Sequence, residues 1–339
     1  MVYRTSDFDF DLPEKLIAKS PAQPRDNARL LSFSRLTQEI TDTVFYKLPD
    51  LLNEKVILVF NDSKVDPVRL NFNMNGVFSE ILFLEKMADL WKVMVKPGKK
   101  FRLGSFINFS DLRAQVVKVD SDGYRYLKLN LNDEELKSFL GRYGRMPVPP
   151  YIKGQNYDEK DYNTIYANKS GSVAAPTAGL HFTNELMARL ISKGIKIEFI
   201  TLKVGLGTFL PVKTSDIRDH KMHNEEYFID YFTAKRLNKF VKDGYKIIPV
   251  GTTSLRVLES NYSHDNGFQA GSYKTNIFIF PGYKWKVVDG LITNFHLPKS
   301  TLLMLVSALV GKSAMDKIYR HAIQRAYKFY SFGDGMLIR

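Results

Sequence analysis

Three loops rich in small residues most constrain what this chain can fold into, because each lies between a strand-like run and a helix-like run. The first covers residues 171–183, where Thr183 is the expected N-cap of the helix that follows. The second covers residues 251–254, and the third covers residues 293–300. In an α/β sheet, such loops gather at the carboxyl ends of the strands, where ligands bind. The sequence therefore predicts an α/β fold with one pocket built from three loops.

Small residues in these loops favour a binding role, since they let the backbone approach a ligand closely. The backbone amides at the start of the helix after Gly251 also suit a carboxylate. The glycine pair at 205 and 207 is weak evidence for a dinucleotide site, because no third glycine follows at the required spacing. The predicted substrate-binding residues are Ala174, Ala175, Pro176, Thr177, Gly179, Gly205, Gly207, Gly251, Thr252, Thr253, Ser254, Asn294, Phe295 and Lys299.

Between residues 70 and 150 the pattern changes to short alternating strands separated by turns such as Pro97-Gly98 and Asp122-Gly123. This spacing predicts a small antiparallel β-barrel. The alternation of helices and strands resumes after residue 150. We therefore expect a large mixed-sheet α/β domain made of residues 1–69 and 151–339, with residues 70–150 inserted as a β-barrel domain.

The charge and the cysteine content narrow the possible functions. The chain carries 49 basic and 36 acidic residues, and its net charge of +13 favours a polyanionic partner such as nucleic acid. It contains no cysteine, which excludes disulfides, thiolate nucleophiles and cysteine zinc sites. The sequence shows no signal peptide, and its most apolar run, residues 297–310, is too short to span a bilayer. We expect a cytoplasmic protein that does not enter a membrane.

Basic residues on irregular segments and on the last helix are candidates for phosphate contacts. For Arg25 and Arg29 the alternative is a surface ion pair, for instance with Asp26, and for the helix residues it is an ordinary solvated face. The candidate phosphate-binding residues are Arg25, Arg29, Lys64, Lys96, Lys99, Lys100, Arg320 and Arg325.

Long motifs in this chain resemble one family, the S-adenosylmethionine:tRNA ribosyltransferase-isomerases of queuosine biosynthesis. The most specific are VAAPTAGLHFT at residues 173–183 and NFHLPKSTLLMLVSA at residues 294–308, and shorter matching stretches are distributed over nearly the whole chain. The resemblance implies S-adenosylmethionine as a ribosyl-donating co-substrate, no metal and no obligate protein partner. It also implies a tRNA substrate carrying 7-aminomethyl-7-deazaguanine at the wobble position, and epoxyqueuosine-tRNA, adenine and methionine as products.

This reaction requires a base for a ribose 5′ proton and a proton donor for the leaving adenine. Histidine and shifted carboxylates perform such transfers near neutral pH. For His181 the alternative role is a bond to backbone, and for His296 it is a loop anchor. Either Phe182 or Phe295 is a candidate to stack a base, with core packing as the alternative. The candidate catalytic residues within the resembling motifs are His181, His296, Asp289, Glu225 and His223.

Four positions depart from the usual pattern of the family: Gly154, Asn163, Asn276 and Gly335. They bring individual contacts into question rather than the resemblance. Two rival classes remain open. An S-adenosylmethionine-dependent RNA methyltransferase would need a strand followed by a G-x-G-x-G turn, which the sequence lacks. A non-catalytic RNA-binding protein would leave the three small-residue loops unexplained.

Overall fold

The structure is a computed structural model that describes residues 3–52, 55–74, 76–152, 159–205 and 212–339. It divides into two compact units, one formed by Met1–Lys64 and Tyr151–Arg339 and the other by Val65–Pro150. Within the described ranges, no helix has both the length and the apolar character that a membrane crossing requires.

The strands and helices are numbered in chain order. The described strands are β1 (Arg29–Phe33), β2 (Ile40–Val44), β3 (Val56–Asn61), β4 (Ser63–Val65), β5 (Arg69–Met74), β6 (Val77–Met87), β7 (Leu90–Lys96), β8 (Phe106–Phe109), β9 (Leu112–Val119), β10 (Arg125–Leu129), β11 (Gly144–Arg145), β12 (Lys169–Ser172), β13 (Lys196–Leu202), β14 (Glu225–Ile229), β15 (Lys246–Val250), β16 (Gly271–Thr275), β17 (Leu291–Asn294) and β18 (Gly335–Ile338). The described α-helices are α1 (Leu48–Leu51), α2 (Asp133–Tyr143), α3 (Asn184–Ser192), α4 (Tyr231–Lys242), α5 (Thr252–Asn261), α6 (Thr301–Val310) and α7 (Lys312–Gln324).

The larger unit is built on a mixed sheet of nine strands in the order β16-β14-β13-β3-β15-β17-β18-β1-β2. The neighbours β13, β3, β15 and β17 run parallel to one another. Strand β18 is antiparallel to β17 and parallel to β1. Because parallel strands share one direction, the carboxyl ends of these four strands lie at the same edge of the sheet. The predicted mixed α/β architecture is confirmed.

Both faces of this sheet are covered, as the unbroken apolar run of β3 predicts. Ile57 and Val59 belong to an apolar cluster that includes residues of α5, α6 and α7. Leu58 and Phe60 point to the other face and join a cluster that includes residues of α3. The sheet is therefore held rigidly between two layers of helices.

Two of the three predicted loops end in helix caps. The Thr183 hydroxyl accepts a hydrogen bond from the Leu186 amide at 3.1 Å, and the Ser300 hydroxyl accepts one from Leu303 at 3.2 Å. The third loop enters α5 through Gly251, whose φ of 91° lies in the region that favours glycine. These caps fix the direction in which each helix leaves the sheet edge.

The smaller unit contains an antiparallel sheet of seven strands in the order β11-β5-β6-β7-β10-β9-β8. In the described residues this order is open, with β11 and β8 at its two ends, so closure into a barrel stays a prediction. The sequence analysis did not predict α2, whose capping box joins Asn132 and Glu135. Helix α2 contributes Leu136, Phe139 and Leu140 to the apolar cluster of this sheet. A helix thus covers part of the face that a barrel would enclose.

A buried carboxylate links α5 to the segment that leads into β17. Glu259 is fully buried, and it accepts hydrogen bonds from the backbone amides of Lys286, Val287 and Val288 at 3.0, 3.1 and 3.1 Å. The Tyr283 hydroxyl donates a further bond at 3.0 Å. A carboxylate is an acceptor only, and every one of these partners is a donor. Glu259 therefore holds a segment that has no regular structure of its own.

We expect Glu259→Gln to lower the free energy of unfolding by about 2–4 kcal/mol, because the new amide group points N–H bonds at buried donors. Urea denaturation of the whole chain measures the change. The matched control is Glu14→Gln at an exposed position, for which a change within about 0.5 kcal/mol is expected. Equal stability of the two variants would show that the Glu259 carboxylate is not needed to hold residues 283–288.

Candidate functional site

A cavity opens at the edge of the large sheet where the parallel strands end. All three small-residue loops reach it, together with Val204, two positions after β13, and a segment before β18, so the predicted convergence of the loops is observed. The cavity is lined by Tyr151, Ala175, Pro176, Thr177, Ala178, Val204, Gly251, Thr252, Thr253, Thr293, Asn294, Phe295, His296, Leu297, Pro298, Ser300, Leu302, Tyr330 and Ser331.

One wall of the cavity is the amino end of α5. Gly251, Thr252 and Thr253 line it, and the first amides of a helix carry partial positive charge that favours an anion. The Thr253 hydroxyl is buried and has no hydrogen-bond partner among the described residues. Ser254 does not line the cavity, because its hydroxyl donates to the Val250 carbonyl at 2.9 Å. This wall is suited to a carboxylate.

A second wall joins the first and third loops through Thr177 and Asn294. The Thr177 hydroxyl donates to Asn294 Oδ1 at 2.9 Å, and Asn294 Nδ2 lies 3.1 Å from His181 Nε2. The His181 ring also stacks on Phe45, with centroids 4.5 Å apart. Thr177 and Asn294 line the cavity, whereas His181 lies behind them. The structure thus places His181 next to the pocket wall and not in it.

Burial lowers the pKa of His181 to about 4, and a hydrogen bond to the Arg25 backbone opposes that shift. Burial also lowers the pKa of His296 to about 3. Both imidazoles are therefore neutral near pH 7, and protonation of either one is unfavourable. His296 lines the cavity, and its Nε2 lies 3.0 Å from the Thr293 hydroxyl. Its backbone amide donates to the Tyr319 hydroxyl at 3.0 Å, so it also anchors its loop.

The sequence analysis missed the aromatic wall formed by Tyr151 and Tyr330. The two rings have centroids 4.6 Å apart, and the Tyr151 hydroxyl lies 2.6 Å from the Ser331 hydroxyl. Tyr330 has a φ of 75°, an unusual conformation for a residue with a side chain. The sequence Pro149-Pro150-Tyr151 and the short run Tyr330-Ser331-Phe332 carry no periodic pattern that relates the two tyrosines.

Asp334 holds the segment that carries Tyr330 and Ser331 to the cavity. Its carboxylate accepts from the amides of Arg29 and Lys328 at 2.8 and 2.7 Å. Burial raises the pKa of Asp334, and these two hydrogen bonds oppose the change. The carboxylate therefore ties the start of β1 to the segment before β18.

The two phenylalanines considered for base stacking serve the core instead. Phe182 is fully buried and packs edge-on against Phe60, with centroids 4.8 Å apart. Phe295 has no exposed surface, and its ring lies within 5.2 to 5.7 Å of Phe329, Tyr327 and Tyr319. Phe295 lines the cavity only as part of this cluster.

Of the five candidate catalytic residues, only His296 lines the cavity, and Asp289, Glu225 and His223 lie in other surroundings. Asp289 precedes β17 at the end opposite the pocket, where its carboxylate accepts from the Ile247 amide at 2.8 Å. Glu225 is buried in an ion pair with Arg256 and accepts from the Gly205 amide at 3.3 Å. His223 is exposed. Their catalytic roles stay predictions, because proximity to a motif in the sequence does not specify the end of the strand at which a residue lies.

Several predicted substrate-binding residues have other partners. A Cβ on Gly179 would lie 1.9 Å from the Tyr166 hydroxyl, so packing alone favours glycine at this position. Ala174 is buried in the core. Lys299 pairs with Asp9 at 2.7 Å and does not line the cavity. Gly205 adjoins the lining residue Val204, and Gly207 lies outside the described residues.

The candidate phosphate-binding residues divide into paired and exposed groups. Arg25 is partly buried and contacts Asp161 at 3.0 Å and the Asn163 carbonyl at 2.8 Å, so its partner is not the expected Asp26. Arg29 lies 3.7 Å from the centre of the Tyr327 ring. The exposed residues are Lys64, Lys96, Lys99, Lys100, Arg320 and Arg325, of which Arg325 also lies 4.0 Å from the Asp42 carboxylate. Within the described ranges, no group of three or more His, Asp or Glu side chains has an arrangement that could hold a metal ion.

Comparisons with known proteins agree with this architecture. Residues 5–338 match the family described as queuosine biosynthesis protein. A protein of Desulfitobacterium hafniense named S-adenosylmethionine:tRNA ribosyltransferase-isomerase is 45% identical over 340 residues, which cover 99% of each chain. The crystal structure of an S-adenosylmethionine tRNA ribosyltransferase from Thermotoga maritima is similar with a TM-score of 0.56 and 34% identity, covering 98% of this chain and 100% of that one. The chain belongs to the queuosine biosynthesis protein family.

Proposed function

We propose that this chain is an S-adenosylmethionine:tRNA ribosyltransferase-isomerase. It transfers the ribosyl group of S-adenosylmethionine to 7-aminomethyl-7-deazaguanine at the wobble position of tRNA, forms epoxyqueuosine-tRNA, and releases adenine and methionine. The observation that carries this proposal is the convergence of three loops on one cavity at the carboxyl edge of the sheet. Two of these loops contain the longest motifs of the family resemblance, and the relative with this name matches over 99% of the chain.

The cavity offers separate groups for the separate demands of the reaction. The amino end of α5 holds the methionine carboxylate, since the helix dipole and the free amides favour an anion there. The Tyr151 and Tyr330 rings, which are tilted by 44° to each other, supply aromatic faces against which a base can pack. His296 is the imidazole that lines the cavity. Burial lowers its pKa and keeps the ring neutral, so it serves as a hydrogen-bonding group for the substrate and not as a strong general base.

The alternatives give different products from the same substrates. A methyltransferase converts S-adenosylmethionine to S-adenosylhomocysteine and keeps the adenine attached, and an RNA-binding protein releases neither compound. We expect free adenine and methionine to appear in equal amounts when the chain is incubated with S-adenosylmethionine and tRNA carrying 7-aminomethyl-7-deazaguanine. Chromatography of the small molecules measures both. The control is the same tRNA with guanine at the wobble position, which should give neither product. Formation of S-adenosylhomocysteine instead would reject the proposal.

The Thr253 hydroxyl provides a test of the carboxylate subsite. Thr253→Val keeps the shape of the side chain and removes the unpartnered hydroxyl. We expect the KM for S-adenosylmethionine to rise about tenfold with a smaller change in kcat, because a contact made equally in the ground and transition states affects binding. Thr253→Ser is the matched control, since it retains a hydroxyl and should stay within about threefold of the parent. An unchanged KM in the valine variant would place the carboxylate elsewhere.

Binding of tRNA should depend strongly on salt, because lysine and arginine displace counterions from phosphates. Two exposed groups are candidates, Lys96, Lys99 and Lys100 in the smaller unit and Arg320 and Arg325 at the end of the larger unit. We expect that replacing every residue of one of these groups by glutamine weakens tRNA binding by about tenfold or more at low salt. The affinity for S-adenosylmethionine should not change. If neither set of substitutions affects tRNA binding, both groups are only solvated surface.

The proposal extends to the organisation of the chain. We propose that residues 1–69 and 151–339 form the catalytic domain and that residues 70–150 form an inserted β-barrel domain that contributes to tRNA binding. S-adenosylmethionine is the ribosyl-donating co-substrate, and the reaction needs no metal and no obligate protein partner. Its tRNA substrate places the reaction in the cytoplasm.

A further inference from the structure

A chain of hydrogen bonds runs from Thr177 at the cavity wall through Asn294 to the buried His181. The contacts at the His181 end determine which atom donates and which accepts at each step. The His181 imidazole hydrogen-bonds the Arg25 backbone, and that bond raises the pKa of the ring, as donation to a carbonyl does. His181 Nε2 faces Asn294, which leaves Nδ1 to donate to Arg25. A neutral imidazole has one donor and one acceptor nitrogen. The Gly333 carbonyl beside Asn294 Nδ2 is an acceptor in either tautomer of His181, so Nδ2 is the donor and Nε2 is the acceptor.

The Asn294 carboxamide is oriented by two acceptors. Its Nδ2 donates to His181 Nε2 at 3.1 Å, and it lies 3.5 Å from the Gly333 carbonyl oxygen. A rotated carboxamide would place Oδ1 against both acceptors, so this orientation is preferred. Asn294 is also buried, which makes an unmatched contact costly. Its oxygen consequently points to Thr177.

The Thr177 hydroxyl has one proton, and it donates that proton to Asn294 Oδ1 at 2.9 Å. Both residues line the cavity. The oxygen of Thr177 therefore offers only lone pairs to a ligand, and Oδ1 of Asn294 retains a second lone pair. We infer that Thr177 and Asn294 form an acceptor pair for a hydrogen-bond-donating nitrogen of the substrate, and that His181 is a positioning residue that sets the polarity of this pair.

This inference rests on the proposed function and identifies the chemistry that one wall of its pocket recognises. Three groups in the two substrates are suitable donors: the exocyclic amine of adenine, the ammonium of methionine, and the aminomethyl group of the deazaguanine. They share donating N–H bonds. A carbonyl or carboxylate oxygen would meet lone pairs at the same wall and is disfavoured there.

The positioning role of His181 is tested with two amides of different length. Gln extends far enough to replace Nε2 as the acceptor for Asn294, whereas Asn ends near the position of Nδ1 and loses that contact. Neither amide exchanges a proton near neutral pH. We expect kcat/KM for adenine release to fall by less than about tenfold in His181→Gln and by about a hundredfold in His181→Asn. The acid limb of the pH profile should be the same in His181→Gln and the parent. His264→Gln, an exposed position, is the matched control.

Losses of a hundredfold or more in both variants would make His181 a proton-transfer group, and nearly parental rates in both would remove any role in the polarity of the wall. Either result overturns the inference. Thermal unfolding of each variant shows whether it is folded. The parent chain distinguishes a failure of the proposed function from a failure of this inference. If the parent releases no adenine, the proposed function is wrong. If the parent is active and His181→Gln and His181→Asn have equal kcat/KM values, only the inference is wrong.

The donor group is identified by removing each candidate in turn. The probes are S-adenosylmethionine with hypoxanthine in place of adenine, S-adenosylmethionine without its α-amino group, and tRNA carrying 7-cyano-7-deazaguanine. We expect the parent and Thr177→Ser to bind one of these probes about tenfold more weakly than the corresponding substrate. We expect Thr177→Val, which keeps only the Asn294 acceptor, to discriminate between that probe and its substrate less strongly. If Thr177→Val retains the discrimination of the parent for all three pairs, the wall is not an acceptor pair for substrate.

Discussion

The common direction of β13, β3, β15 and β17 is the constraint on which the site depends. Parallel strands buried on both faces leave only their ends accessible, so a ligand must bind where the connections leave the sheet. The residues after β13, β15 and β17 line one cavity for this reason. The helix caps at Thr183 and Ser300 then fix how the chain departs from that edge. Of the residues in and next to these strands, only those at the carboxyl ends can therefore contact the same ligand.

The sequence was a good guide to the parts of the site that are local. Thr183 caps its helix as predicted, and three small-residue loops meet as the strand–loop–helix pattern indicates. Such features follow from interactions between residues close together in the chain. Tyr151 and Tyr330 are different, since they meet across 179 positions and no periodic pattern relates them. Only the fold brings their rings together.

Single residues were harder to assign than loops, because a side chain's role depends on what surrounds it. His181 and His296 occupy similar places in their loops, yet only His296 lines the cavity. Small size at Gly179 suits a ligand, and it also suits the Tyr166 hydroxyl that packs against this position. Glu225 belongs to a motif but is buried against Arg256. The same residue type fits a catalytic, a packing or an ion-pair role, and the choice is made by tertiary contacts.

The pairing of β1 with β18 has a kinetic consequence. The hydrogen bond from the Arg29 amide to Asp334 spans 305 positions, and β18 separates β1 from β17 within the sheet. Contacts between such distant segments form slowly, because a long loop must close before any of them is made. During synthesis, β1 must wait without its inner neighbour until nearly all the residues of the large unit have been made. An unpaired strand edge is prone to non-native pairing. The antiparallel partner β2, which follows β1 directly, gives it one protected side during that interval.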